Sequence, residues 1–286
     1  MSHLLDNHQK MGKYVVVDDL NIFTIDEGEG EPIVLLHGLF STSYSYRKII
    51  PQLSKSYRVI APDLPGIGFS EKSEEKYSHR MLANFFYHFL NQVSEARVHL
   101  VAYDYGCAVA FLLLNEHPEK IKSLTLISPF THLDRIWKYF PLFILNKKWI
   151  GNLISGIFGM KFIKFLYNFY LLDSKLQLTD EEADDYHFLL FRRESRKNFL
   201  RMAQNIDRSI YAKKDMESGM QKMIGGRQIL LGETDSSISY KETENIKQYL
   251  RTSMAQIIPG KRFLIENSPD DCTTKIDNLV KVFSRK

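Results

Sequence analysis

Short, wholly apolar runs alternate with stretches of helical periodicity along most of this chain. Tyr14–Val17 and Leu20–Ile25 read as two strands around an Asp18-Asp19 turn, a hairpin. Pro32–Leu36 is apolar without interruption and ends in a His37-Gly38 turn, as expected for a strand covered on both faces. The pattern then predicts a helix over Ser43–Leu53, a strand over Tyr57–Ala61, a helix over Arg80–Val93 and a strand opening at Val98. A helix over Cys107–His117, stopped by Pro118, and a strand over Ile121–Ile127 follow.

From about Phe130 to Lys213 only helical patterns appear, broken by Pro141, Gly151, Gly156 and Gly159. Alternation resumes with a strand at Gln228–Gly232, a helix over Lys241–Leu250, a strand at Met254–Ile258 and a helix over Asp270–Phe283. Repeated strand–helix alternation predicts an α/β fold with a mostly parallel sheet and helices on both faces. Residues 1–129 and 214–286 would form its core, and 130–213 an inserted helical cap. Ligands in such sheets bind beyond the carboxyl ends of the strands. His37-Gly38, Asp63, Asp104 and Ser128 all fall at such ends, so they are expected on one rim.

The sharpest local signal is Leu100-Val101-Ala102-Tyr103-Asp104-Tyr105-Gly106-Cys107. A strand turns into a helix through small residues two before and two after Asp104. That arrangement lifts the tip side chain above the sheet, beside the first N–H groups of the helix. The plainer reading of Asp104 is a helix N-cap, a position Asp favours anyway.

Composition narrows the classes. The chain has 286 residues, 44% hydrophobic and 25% charged, with a formal net charge of +4. That charge is too mild for a nucleic-acid partner, and no zinc-finger spacing appears. No cofactor or metal is expected. Cys107 and Cys272 form no CxxC pair. With a polar start that lacks a secretion signal, they suggest a cytoplasmic setting, as a monomer or homodimer. Trp137–Leu172 is unusual. It holds Lys138, Lys147, Lys148, Lys161 and Lys164, no acid, and large apolar residues such as Phe140, Phe143, Trp149, Phe158, Phe165 and Phe169. It reads either as a surface for anionic lipid or as a lid whose aromatic side packs inward over an apolar pocket.

The Asp104 turn, the His37-Gly38 turn and the run Arg58-Val59-Ile60-Ala61-Pro62-Asp63-Leu64-Pro65-Gly66-Ile67-Gly68-Phe69-Ser70 together resemble the α/β-hydrolase superfamily over nearly the whole chain. Asp at the turn, with Ser41-Thr42-Ser43-Tyr44 after His37-Gly38, is similar to its haloalkane dehalogenase and epoxide hydrolase branch. The resemblance implies Asp104 as nucleophile and Asp235 as the acid of a triad. It also implies the backbone N–H groups of Leu39, Phe40 and Tyr105 as donors at the reacting centre. A carboxylate attacks carbon without prior activation and leaves an alkyl ester, whose hydrolysis needs a water, a base and oxyanion donors.

The sequence departs from that family at the base. In Ile258-Pro259-Gly260-Lys261-Arg262-Phe263, Arg262 stands where the family has its histidine. A guanidinium has no acceptor and stays protonated, so it takes no proton from water. Arg262 is expected to pair with Asp104 and Asp235 instead. His187 and Glu266 are the available substitute bases. The family's halide donors, an Asn and a Trp, are here Leu39 and Tyr105. Tyr167, Tyr170 and Tyr186 could protonate an alkoxide, although such residues more often pack. Three functions stay open: a hydrolase of a small apolar halide, epoxide or ester; a degenerate hydrolase that binds an apolar or an acidic ligand held under the cap by Arg262; and a membrane- or partner-associated protein acting through its cap.

Overall fold

The computed structural model describes residues 2–73, 77–129, 145, 147 and 159–284. One eight-stranded sheet has the order β1-β2-β4-β3-β5-β6-β7-β8. Its strands are β1 Lys13–Val17, β2 Leu20–Glu27, β3 Pro32–Leu36, β4 Arg58–Pro62, β5 Val98–Tyr103, β6 Ile121–Ile127, β7 Gly226–Gly232 and β8 Ala255–Ile258. The β1/β2 and β2/β4 pairs are antiparallel, and every later pair is parallel. β3 and β5 are buried at every position, which is why β3 is apolar throughout and β5 is apolar but for His99, whose Nδ1 bonds Ser123 Oγ at 2.6 Å.

The described helices before β7 are α1 His3–Met11, α2 Ile50–Leu53, α3 His79–Val93, α4 Tyr105–Glu116, α5 Met160–Leu166, α6 Asp180–Phe191, α7 Arg193–Gln204 and α8 Ile210–Lys222. Those after it are α9 Tyr240–Leu250, α10 Leu264–Asn267 and α11 Pro269–Ser284. A π-helical stretch, Tyr167–Leu171, continues α5.

One expectation fails, and one helix is not foreseen. The helix expected over Ser43–Leu53 is a 3₁₀ turn, Ser43–Tyr46, followed by the single turn of α2. Pro51 has no N–H to give to a preceding turn, so it stands at the start of α2 rather than inside a longer helix. The polar N-terminus, for which the sequence pattern predicts no element, forms α1. A short helix of that composition is marginal alone, and tertiary contacts hold it. Ser2 caps it by accepting from the Leu5 N–H, and the Ser2 N–H donates to Asp185 at 3.0 Å. His8 bonds Ser43 Oγ at 3.0 Å.

Helices 160–204 lie against the loops at the carboxyl ends of the parallel strands. Tyr167 Oη donates to the Phe40 carbonyl, the rings of Phe40 and Phe199 stand 5.1 Å apart, and the Phe263 N–H donates to the Leu171 carbonyl. Helix α8 instead packs on α4. A methyl group on Gly219 would lie 1.8 Å from the Phe111 carbonyl oxygen, so only glycine permits that approach. Position 213, taken as the end of the helical insertion, thus falls inside α8. Of the lysine- and aromatic-rich stretch, residues 137–144, 146 and 148–158 lie outside the described residues. Among the described residues, no helix is long and apolar enough to cross a membrane.

Candidate active site

β5 ends at Tyr103 and α4 begins at Tyr105, so the whole reversal falls on Asp104. Its backbone has φ 50° and ψ −116°, a conformation that costs a non-glycine residue about 1–3 kcal/mol. Flanking hydrogen bonds hold it there, from the Asp104 N–H to the Ile127 carbonyl (3.0 Å) and from the Cys107 N–H to the Asp104 carbonyl (3.1 Å). The Asp104 side chain is no N-cap, because it makes no capping hydrogen bond to α4. Two glycines clear its surroundings. A methyl on Gly106 would meet the carbonyl oxygens of His37 and Leu36 at 2.7 and 2.8 Å, and one on Gly38 would meet Asp104 Cβ at 2.7 Å.

The structure brings Asp104, Arg262 and Asp235 together. Arg262 is buried. Its Nε and Nη2 both donate to Asp104 Oδ1, the former at 3.1 Å. Nη2 also reaches the Ser128 carbonyl at 3.3 Å, and Nη1 lies 3.5 Å from Asp235 Oδ2. Ser237 completes the group. Its hydroxyl accepts from Arg262 Nη1 and donates to Asp235 Oδ1, while its N–H donates to the same oxygen at 2.9 Å.

Asp104 Oδ2 is more lightly engaged. It accepts from the Leu39 N–H at 3.4 Å, at the long limit of a hydrogen bond. No described contact joins the N–H of Phe40 or Tyr105 to the Asp104 carboxylate. The Tyr105 ring stacks on His79 at 4.4 Å, and its buried hydroxyl has no hydrogen-bond partner among the described residues.

The two candidate substitute bases are placed elsewhere. Glu266 is buried in its own network, paired with Arg47 and Lys48 and accepting from Tyr186 Oη at 2.6 Å. Arg47 also pairs with Glu182 at 2.8 Å, which ties α6 to the loop after β3. The Glu266 oxygens are taken up by Arg47, Lys48 and Tyr186, and no described contact joins them to Asp104. His187 is half-buried on α6, and no described contact joins it to Asp104 either. Of the tyrosines, Tyr186 faces Glu266 and Tyr167 faces the Phe40 carbonyl. Burial pushes both phenols well above their ordinary pKa.

His37 and Asp63 shape the rim. His37 Nε2 accepts from the Leu64 N–H at 2.9 Å, and burial lowers its pKa to about 4. Asp63 accepts from the N–H groups of Ser43 (2.7 Å) and Phe69 (2.9 Å), and burial raises it to about 6. Sequence reasoning missed Ser237 and Arg47. Ser237 had one signal, its place two residues after Asp235, where Asp commonly accepts from a backbone N–H. Among the described residues, no group of three or more His, Cys, Asp or Glu could hold a metal.

The alpha/beta hydrolase fold family matches residues 31–222 of this chain. A soluble epoxide hydrolase of Corynebacterium sp. is 26% identical over 65% of this chain and 67% of its own length. A haloalkane dehalogenase of Psychrobacter cryohalolentis is 38% identical, over 37% of this chain and 39% of its own. The matches thus span from two-fifths to two-thirds of these relatives. The crystal structure of a haloalkane dehalogenase from Bradyrhizobium elkani superposes with a TM-score of 0.80 at 18% identity, covering 96% of this chain and 98% of that one.

Proposed function

We propose, from the premise that this chain belongs to the alpha/beta hydrolase fold family and is related to epoxide hydrolases and haloalkane dehalogenases, that Asp104 captures a small apolar electrophile as an alkyl ester and that the ester persists. The observation that carries this reading is Arg262 in the place between Asp104 and Asp235.

In this reading Asp104 Oδ2, the lightly bonded oxygen, attacks a carbon bearing a halide or an epoxide oxygen. The new C–O bond takes an electron pair from Oδ2. The carbon–halogen or carbon–oxygen bond breaks, and its pair leaves on the halide or alkoxide. Oδ1 becomes the ester carbonyl, facing Nε and Nη2 of Arg262. Helices 160–204 would serve as the cap over the Asp104 rim.

Release of the ester needs a base to take a proton from water. Arg262 is permanently charged and cannot be that base. Glu266 is engaged by Arg47, Lys48 and Tyr186 and has no described contact with Asp104. The reaction therefore stops, or slows by orders of magnitude, after the first step.

Intact-mass measurement after incubation with a panel of haloalkanes and epoxides tests the reading, with Asp104→Ala in parallel. A lasting adduct on Asp104, absent from the variant, is the expected result. No adduct and no product across the panel overturns it. A second reading, an apolar ligand bound without chemistry, draws on the guanidinium that already occupies Asp104 Oδ1.

A further inference from the structure

Helix α5 and its π-helical extension present two different faces. The inner face, Ile163, Leu166, Tyr167 and Leu171, is buried against the rest of the fold. An outer face so placed is ordinarily polar. Here it carries Lys161, Phe165 and Phe169, four residues apart on successive turns. Phe165 is 50% exposed and Phe169 61% exposed. Their rings lie nearly parallel, 11° apart with centroids at 5.5 Å, and Tyr170 packs edge-on against both. The result is a continuous aromatic platform on the surface, which costs hydration free energy unless something covers it.

Cations border the platform. Lys161 is exposed, and Lys261 Nζ sits 5.7 Å from the Phe169 ring centroid. Lys164 reaches Asp180 at its edge. In sequence, the platform closes a segment, 137–172, with five lysines and no acidic residue.

We infer that this face docks on an anionic lipid bilayer. Aromatic rings are stable at the boundary between headgroups and acyl chains, and lysines beside them reach the phosphates. Neither signal suffices alone, and the two add. Charge favours the bilayer over a second copy of the chain, since a pairing of these faces would bring lysines against lysines. Docking would also set helices 160–204, which cover the Asp104 rim, against a source of apolar molecules.

The test is co-sedimentation of the full chain with phosphatidylcholine vesicles, with and without phosphatidylglycerol, at low and high salt. Binding is expected only with phosphatidylglycerol, and weaker in high salt as the screening length shortens. Phe165→Ser/Phe169→Ser, which keeps every charge, should weaken it at least about tenfold. Lys161→Glu should weaken it about fivefold or more. Circular dichroism of both variants should match the parent. Absence of binding to anionic vesicles overturns the inference. So does equal binding by the double phenylalanine variant, which would reduce the contact to general charge attraction. A dimer in gel filtration that the same variant dissolves, without vesicle binding, would assign the face to a second copy.

Discussion

Arg262 holds Asp104 and Asp235 at once, through Nε and Nη2 on one carboxylate and Nη1 at 3.5 Å from the other. A cation that cannot lose its proton thus stands between the strained carboxylate at the head of α4 and the acid after β7. Ion pairing of this kind stabilises the fold only while all its members are present. Removing one partner of a buried pair costs about 3–5 kcal/mol, because the remaining charge stays desolvated. Arg262→Ala would leave two carboxylates facing each other, so a loss of about 3 kcal/mol or more is expected in urea denaturation. Asp104→Ala made in the Arg262→Ala background should cost less than it does in the parent, with a coupling of about 1–3 kcal/mol. Additive losses would mean the triad contributes nothing as a unit.

Gly106 is the second weak point. A methyl there would press on two backbone carbonyls, His37 O at 2.7 Å and Leu36 O at 2.8 Å, and backbone cannot swing aside as a side chain can. Gly106→Ala should therefore destabilise the protein by about 1–3 kcal/mol, and it should also shift the β3 loop that carries Leu39. A melting temperature equal to the parent's would show that the approach of the β3 loop to α4 is looser than described.

Acid should unfold this protein early. His8, His37 and His79 are buried and held near pKa 4, chiefly by desolvation. Their unfolded value is about 6.5, so the unfolded chain binds protons first as pH falls. Stability is full above about pH 6.5 and declines toward pH 4, each histidine removing at most about 2 kcal/mol by pH 5. Asp63 works the other way. Burial raises it to about 6, so acidification from neutral pH relieves the cost of its buried charge, by roughly 1 kcal/mol at pH 5. Three histidines outweigh one carboxylate. Thermal melts at pH 7.5 and 5 should show a clear fall at the lower pH, and an unchanged or higher melting point would contradict the assignment of these rings as neutral.

Most of the sheet was legible because parallel strands buried on both faces are mainly apolar, as Pro32–Leu36 and, apart from His99, Val98–Tyr103 are. Asp104, Arg262 and Asp235 were legible as residue types at strand ends. Other features left no local trace. Helix α1 is held by Asp185 and Ser43, far along the chain. The break at Pro51 was readable in principle, but the apolar spacing of Ser43–Leu53 hid it. Glu266 looked available as a base because the sequence does not show that Arg47 and Lys48 close on it.

That Glu266 cluster yields a prediction about α6. Arg47 bonds Glu182 on α6 and Glu266 below it, so it fastens the helix to the loop after β3. Arg47→Met should leave both acids without their guanidinium and loosen α6. Hydrogen exchange over 180–191 should rise while β5 and β6 stay protected. Equal protection of α6 in variant and parent would show that the hydrogen bonds of Asp185 and the packing of Tyr186 and Phe188 hold it without Arg47.

The central claim is that Arg262 stops the chemistry after capture by Asp104. The most direct measurement follows adduct and product together, by intact mass and by product assay, for the parent and Arg262→His with one haloalkane or epoxide that labels the parent. The parent should reach one stable adduct per chain with at most one product equivalent. Arg262→His, with an imidazole between Asp104 and Asp235, should lose the lasting adduct and release product over many turnovers. Repeated turnover by the parent, or an adduct equally lasting in the histidine variant, would contradict the claim.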